Sequence, residues 1–250
     1  MSSLRIGRFL VPSNAPQSCV VVLVLRNCPR SCTFAHSHQF FFLSDRAAYF
    51  WQYWNVERQF RFIEKDLASV DRTKTPFVIT MAHRPMYCSD SDDHDDCTKV
   101  NSTMRRGLLG SDAHDGLFAL EPLFKKYNVD IAFWAHEHTY ERFWPMYEGV
   151  VVNSTNDSSD PYHNPAATVH IVAGASGGRE GHDKFEKGGR TGSAVQDIRY
   201  GYGRLRIENA THLYWEEIED STGAAIDSFW IRKDLEVGRD SRQARGQEGS

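Results

Sequence analysis

The spacing of apolar positions sets the first reading of the chain. Between residues 57 and 70, "ERQFRFIEKDLASV" places Phe60, Ile63, Leu67 and Val70 on one stripe at helical spacing and predicts a helix. "TPFVITMA" (75–82) is short, apolar and β-rich, the pattern of a buried strand. The helical period returns in "DGLFALEPLFKKYN" (115–128), with Leu117, Leu120, Phe124 and Tyr127 on one face. Pro122 fits that helix only near its start or at a kink. "VDIAFWA" (129–135) predicts a second buried strand. Strand, helix, strand at this spacing is a crossover unit, so the two strands should be parallel and adjacent or nearly so. "ATVHIVAGASGG" (167–178) reads as a third strand ending in a glycine-rich turn.

The pattern then changes. "YGYGRLRIENATHLYWEEIED" (200–220) and "AAIDSFWIRK" (224–233) alternate apolar and polar residues around turn signals, as antiparallel strands do. The predicted fold class is therefore α/β, a parallel or mixed sheet with crossover helices, ending in antiparallel strands. Residues 1–54 show no such order and read as a divergent, irregular leader. The regular part spans 55–235, and the polar stretch 236–250 reads as a disordered tail.

Composition narrows the classes. A chain of 250 residues, 40% of them hydrophobic, suits one compact domain or two. A net charge of −4 argues against a general nucleic-acid binder. No apolar stretch approaches the roughly 20 residues of a membrane-spanning helix. Arg5 and Arg8 precede "CVVVLVL" (19–25), which has the look of a short signal-peptide core. Pro12, Asn14 and Pro16 interrupt the approach, and Arg26, Asn27 and Pro29 replace the small-residue cleavage site, so the leader gives no convincing signal peptide. Five cysteines leave at least one outside any intramolecular bridge. Cys88 and Cys97 flank a short loop that a disulfide would close, while Cys19, Cys28 and Cys32 lack a zinc-finger partner pattern. Sequons at Asn101, Asn153, Asn156 and Asn209, each weak alone, join that possible bridge in pointing to the secretory pathway.

The candidate chemistry lies at strand ends, where open α/β sheets collect functional groups. The strand at 75–82 delivers His83, and the strand at 129–135 delivers His136 and His138. Residues two apart in extended chain point to the same side, so the latter two can share a site. Neutral imidazole is a good ligand for zinc and iron. A single histidine after a strand is ordinarily a solvated side chain. Three at equivalent ends of one crossover unit make metal binding the competing reading. His36 and His38 form a second His-x-His, but nothing around them fits a ligand motif and they read as a polar patch.

"TPFVITMAHRPMYCS", "LEPLFKKYNVDIAFWAHEHTYER" and "SAVQDIRYGYGRLRIENATHLYWE" resemble the C-terminal half of the purple acid phosphatases, binuclear metallophosphatases of the calcineurin-like phosphoesterase superfamily. The resemblance runs from about residue 56 to 235. "ITMAH" stands for the family's Val-x-x-His motif and "AHEH" for its Gly-His-x-His motif, with Ala135 in place of the glycine. It implies that His138 ligates a ferric ion and that His83 and His136 ligate a divalent metal: zinc, manganese or iron. His94, eleven residues after His83, falls where the family carries a substrate-contacting histidine. It would steady the phosphate or protonate the leaving alkoxide. The equal alternative is a solvated residue whose pKa the neighbouring aspartates raise. Glu137 and Arg142 read as loop supports, and Tyr140 as packing. The implied substrate is a phosphate monoester, cleaved by a hydroxide that two metals generate. The implied location is secreted, extracellular or lysosomal.

The family's carboxylate ligands come from its N-terminal half, in Asp-x-Gly, Gly-Asp-x-x-Tyr and Gly-Asn-His-Asp/Glu motifs. This chain contains no Asp-x-Gly, no Gly-Asp and no Gly-Asn. The expectation is a metal-dependent acid phosphatase whose metal site is incomplete in this chain. The alternatives are a non-catalytic secreted glycoprotein fragment and a mononuclear zinc hydrolase built on His83, His136 and His138. Without the N-terminal half, the sheet is expected to leave a long apolar strand edge open.

Overall fold

The computed structural model describes residues 4–6, 20–24, 49–90, 96–99, 102–107, 116–152, 160–179, 181–186 and 192–234. The strands are β1 (Leu4–Ile6), β2 (Val20–Val24), β3 (Val78–Ala82), β4 (Ile131–Trp134), β5 (Tyr140–Tyr147), β6 (Val150–Val151), β7 (Thr168–Ala173), β8 (Ser193–Asp197), β9 (Gly201–Ile207), β10 (His212–Glu219) and β11 (Ala225–Arg232). The helices are α1 (Tyr49–Ala68), α2 (Thr103–Arg106) and α3 (Leu120–Lys126). No helix among the described residues is long and apolar enough to cross a membrane.

Two sheets form. The larger runs β2-β3-β4-β7-β5-β6, with β8 also paired to β5. Within it β3, β4 and β7 are parallel, as the crossover pattern predicts, with Ile79 opposite Ile131 and Ile131 opposite Val169. The smaller sheet, β1-β9-β10-β11, is antiparallel throughout.

Alternation along the central strands explains the layering. Val78, Ala132 and Trp134 face a core that includes Ile63, Leu67, Leu123 and Phe124 from α1 and α3. Ile79, Met81, Ile131 and Phe133 face the opposite way, onto Leu205, Leu213, Trp215 and Ile231 of the antiparallel sheet. Strands covered on both faces read as continuous apolar runs, which is why β3 and β4 stand out in the sequence. At one corner, Asp130 accepts from Arg72 at 2.8 Å and from Lys233 at 2.5 Å, tying the chain after β11 to the start of β4.

The elements depart from the periodicity in three places. α1 begins at Tyr49, eight residues before the predicted start. The helix expected over 115–128 is confined to Leu120–Lys126, because Gly116 (φ 80°) and Phe118 (φ 65°) adopt left-handed backbone that breaks a helix, leaving Pro122 in its first turn. Within the stretch read as an irregular leader, β1 pairs with β9 and β2 runs antiparallel to β3, from Val20 opposite Ala82 to Val24 opposite Val78. β2 therefore takes up the backbone groups of β3, and the sheet ends on that side at β2, an apolar edge strand of the kind expected. The tail at 236–250 lies outside the described residues.

Candidate metal centre

β3 and β4 end side by side, and Ala135 N–H donates to the His83 carbonyl at 3.0 Å, one step beyond the ladder. This contact fixes the two strand ends relative to each other. His83 and His136 consequently meet: Nε2 of His83 lies 2.9 Å from Nδ1 of His136, with ring centroids 4.8 Å apart and planes at 78°. Both rings are partly exposed. That spacing suits a hydrogen bond between two neutral rings. Two nitrogens bound at about 2.1 Å to one tetrahedral zinc lie about 3.4 Å apart, so a slight parting of the rings would turn the pair into ligands on one ion.

The turn that presents the rings is strained at one residue. His136 has φ 64°, while Ala135 does not enter the left-handed region. The alanine that replaces the family's glycine thus meets no conformational penalty there. The cost falls on His136, on the order of 1–3 kcal/mol for a non-glycine residue held in such a region. Gly174, just after β7, allows the turn to pack down: a Cβ there would stand 1.9 Å from the Glu137 carbonyl oxygen.

His138 is held by a different set of groups. Its backbone N–H donates to Asp183 Oδ2, and its carbonyl accepts from His182 Nδ1 at 3.3 Å. A Cβ on Gly178 would lie 3.1 Å from its Cε1, so the glycine-rich turn after β7 closes against the ring. His182 in turn packs on the exposed Tyr200, with centroids 4.0 Å apart. Asp183, His182 and Tyr200 escape sequence reasoning. Their only signal is a polar stretch after a glycine turn at a strand's carboxyl end.

Among the described residues, the one group of three or more metal-ligating side chains with donor atoms within 4.8 Å of one another is Cys88, Asp90, Cys97 and Glu137. Among the described residues, no choice of ring nitrogens unites His83, His136 and His138 in such a group, and no carboxylate joins them in one. A single zinc on all three histidines, the mononuclear alternative, is not the arrangement observed. The histidine pair fits one ion, but the described residues do not complete a two-ion centre. Cys88 and Cys97 are joined by a disulfide. His94 and the sequons at Asn101, Asn153 and Asn156 lie outside the described residues. Asn209 sits in the exposed turn between β9 and β10, its Oδ1 accepting from Thr211 N, Thr211 Oγ1 and His212 N at 2.8, 2.8 and 2.9 Å.

The supporting residues are buried and paired. Glu141 accepts from Ser89 N at 2.8 Å and from Gln196 Nε2 at 3.1 Å. Arg142 grips Asp227 through Nε at 2.6 Å and Nη2 at 3.0 Å, joining β5 to β11. Tyr140 donates its hydroxyl to the same carboxylate at 2.6 Å and accepts from Trp215 Nε1 at 3.1 Å. His170, on β7, is no ligand candidate. Its Nδ1 accepts from Trp134 Nε1 at 3.1 Å, and burial pushes its pKa down to about 3.

Comparison with known proteins places the chain in a family. The family model described as calcineurin-like phosphoesterase matches residues 13–140, and the one described as iron/zinc purple acid phosphatase-like protein C matches 167–228. The first match takes in about half of the chain and begins inside the stretch read as leader. Acid phosphatase type 7 of Mus musculus is 45% identical over 183 residues, covering 72% of this chain and 40% of the relative. A protein of Arabidopsis thaliana named probable inactive purple acid phosphatase 1 is 38% identical over 178 residues, covering 70% of this chain and 26% of the relative. The solved purple acid phosphatase from yellow lupin (Lupinus luteus) seeds superposes with a TM-score of 0.58 at 30% identity, over 77% of this chain and 30% of that one. The chain belongs to the calcineurin-like phosphoesterases, in their purple acid phosphatase branch. It spans about 40% of the length of the acid phosphatase type 7 relatives it matches.

Proposed function

We propose that this chain carries the histidine half of an acid phosphatase metal centre, with His83 and His136 gripping a divalent ion and His138 reserved for a ferric one. The observation that carries the reading is the 2.9 Å approach of His83 Nε2 to His136 Nδ1 at the carboxyl ends of adjacent parallel strands. The substrate class is a phosphate monoester, and the ions are iron and zinc, or manganese in place of zinc. An ion bound there supplies Lewis acidity toward phosphoryl oxygens. The protein's own part is to fix the two rings on rigid strand ends and to hold the His138 backbone through Asp183. Because carboxylate donors do not join the histidines among the described residues, the chain by itself is a poor catalyst.

The Cys88–Cys97 bridge and the exposed Asn209 turn support a secretory-pathway origin with glycan at Asn209. His94 remains the candidate for contact with the phosphate.

The test is hydrolysis of p-nitrophenyl phosphate at pH 5 with iron and zinc supplied, run beside acid phosphatase type 7. The expected rate is a small fraction of that enzyme's and vanishes in His136→Ala. A rate equal to the full-length relative's, abolished by His138→Ala, would overturn the claim of an incomplete site. A rate untouched by His136→Ala would overturn the site itself. A second reading, a non-catalytic glycoprotein, draws on the missing carboxylates and predicts no metal-dependent turnover at any iron or zinc concentration.

A further inference from the structure

Beside the histidine turn lies a second cluster that the phosphatase reading leaves unused. Cys88, Cys97, Asp90 and Glu137 are all buried, and one donor atom from each falls within 4.8 Å of the other three. Sγ of Cys97 is 3.4 Å from Glu137 Oε1. The backbone on both sides is fixed. Asp90 forms a β-bridge with Phe185, Ser89 O accepts from Glu186 N at 2.9 Å, and Glu137 N donates to Ala135 O at 2.8 Å. Two carboxylates brought this close inside a protein repel each other and are costly to desolvate. Two sulfurs and two carboxylate oxygens at tetrahedral reach are a donor set for zinc. In the bridged form the sulfurs are neutral and bind metal poorly, because the ligand is the thiolate.

We infer that Cys88, Cys97, Asp90 and Glu137 form a zinc site that the disulfide keeps closed and that a dithiol reductant opens. Reduction breaks the Cys88–Cys97 bond and makes two thiols, while the reductant's two thiols close into its own disulfide. Zinc then displaces one proton from each cysteine, and the two sulfurs part to the roughly 3.8 Å that ligands on one tetrahedral zinc keep. The buried bridge reacts through local opening of the structure that covers it. Glu137 lies between His136 and His138, so filling this site draws on the turn that presents both rings. The inference is independent of the phosphatase reading, because thiolate ligation is read directly.

The test uses the full chain with Cys19, Cys28 and Cys32 changed to serine, so that no other thiols contribute. The protein is reduced with dithiothreitol, desalted without oxygen and titrated with cobalt(II) as a zinc probe. Thiolate ligands give a near-ultraviolet sulfur-to-cobalt band that histidine and carboxylate ligands do not. The expected result is one equivalent of cobalt with that band, displaced by zinc and absent before reduction. Glu137→Gln and Asp90→Asn should each weaken zinc binding at least tenfold, with circular dichroism confirming the fold. Reduced, folded protein without the band would overturn the inference, as would equal zinc affinity in both carboxylate variants.

Discussion

Glu217 offers a sharp test of how the two sheets are joined. It lies on β10 opposite Asp227 of β11 and is 1% exposed. Burial, followed by the negative charges of Asp227, Asp197 and Asp220, pushes its pKa up from the ordinary 4.5 to about 8. The folded chain therefore holds this proton after the unfolded chain has lost it. The stabilising contribution is whole below about pH 4.5 and is lost as pH rises toward about 8. Each pH unit in that window costs about 1.4 kcal/mol, so roughly 5 kcal/mol disappears across it. Glu217→Gln keeps the shape of the protonated side chain and removes the titration. Urea midpoints followed by tryptophan fluorescence at pH 5, 6, 7 and 8 make the comparison. Other titrating groups, such as the buried Glu121 and Glu141 whose pKa values burial also raises, act on both proteins and cancel in the difference. The two proteins should be of similar stability at pH 5, with the variant ahead by several kcal/mol at pH 8. Parallel stability curves across the range would mean that Glu217 does not hold its proton in the folded chain.

Three further substitutions probe the same framework. Gly203→Ala would put a Cβ 1.8 Å from Trp215 Cη2, so thermal unfolding should show a loss of about 1–3 kcal/mol; an unchanged midpoint would contradict the close approach. Arg142→Met strands Asp227 as a buried charge and should cost about 3–5 kcal/mol in urea unfolding, most of which Arg142→Met with Asp227→Leu should restore. Gly174→Ala drives a methyl against the Glu137 carbonyl and should weaken zinc retention by the folded protein at least tenfold, as read by chelator competition.

The sequence revealed most where one physical signal dominated. β3, β4 and β7 are covered on both faces and read as apolar runs, and β9 to β11 alternate because only one face meets the core. β5 gave no such signal. Its run "YERFWPMY" buries Glu141 and Arg142, which is possible only because Ser89, Gln196 and Asp227 arrive from distant parts of the chain. Pro145 sits at a shift of register in the β5–β7 pairing, where a missing N–H is tolerated. The helix over 115–128 was overextended because left-handed backbone at Phe118 cannot be read from an apolar residue. At the candidate site, strand ends singled out His83, His136 and His138, and the roles proposed for them came from the resemblance. Asp183 and His182 were not, since their contact with His138 spans more than forty positions and leaves no local pattern.

The proposed grip of His83 and His136 on one ion, between two strand ends, is open to a direct count. Zinc retained by the disulfide-bonded chain after exhaustive dialysis, counted by elemental mass spectrometry, measures it directly. The expected result is about one zinc or more per wild-type chain, and loss of one from both His83→Ala and His136→Ala with the circular dichroism spectrum intact. Wild-type protein that emerges free of zinc, or a His83→Ala, His136→Ala double variant that retains as much as wild type, would contradict it.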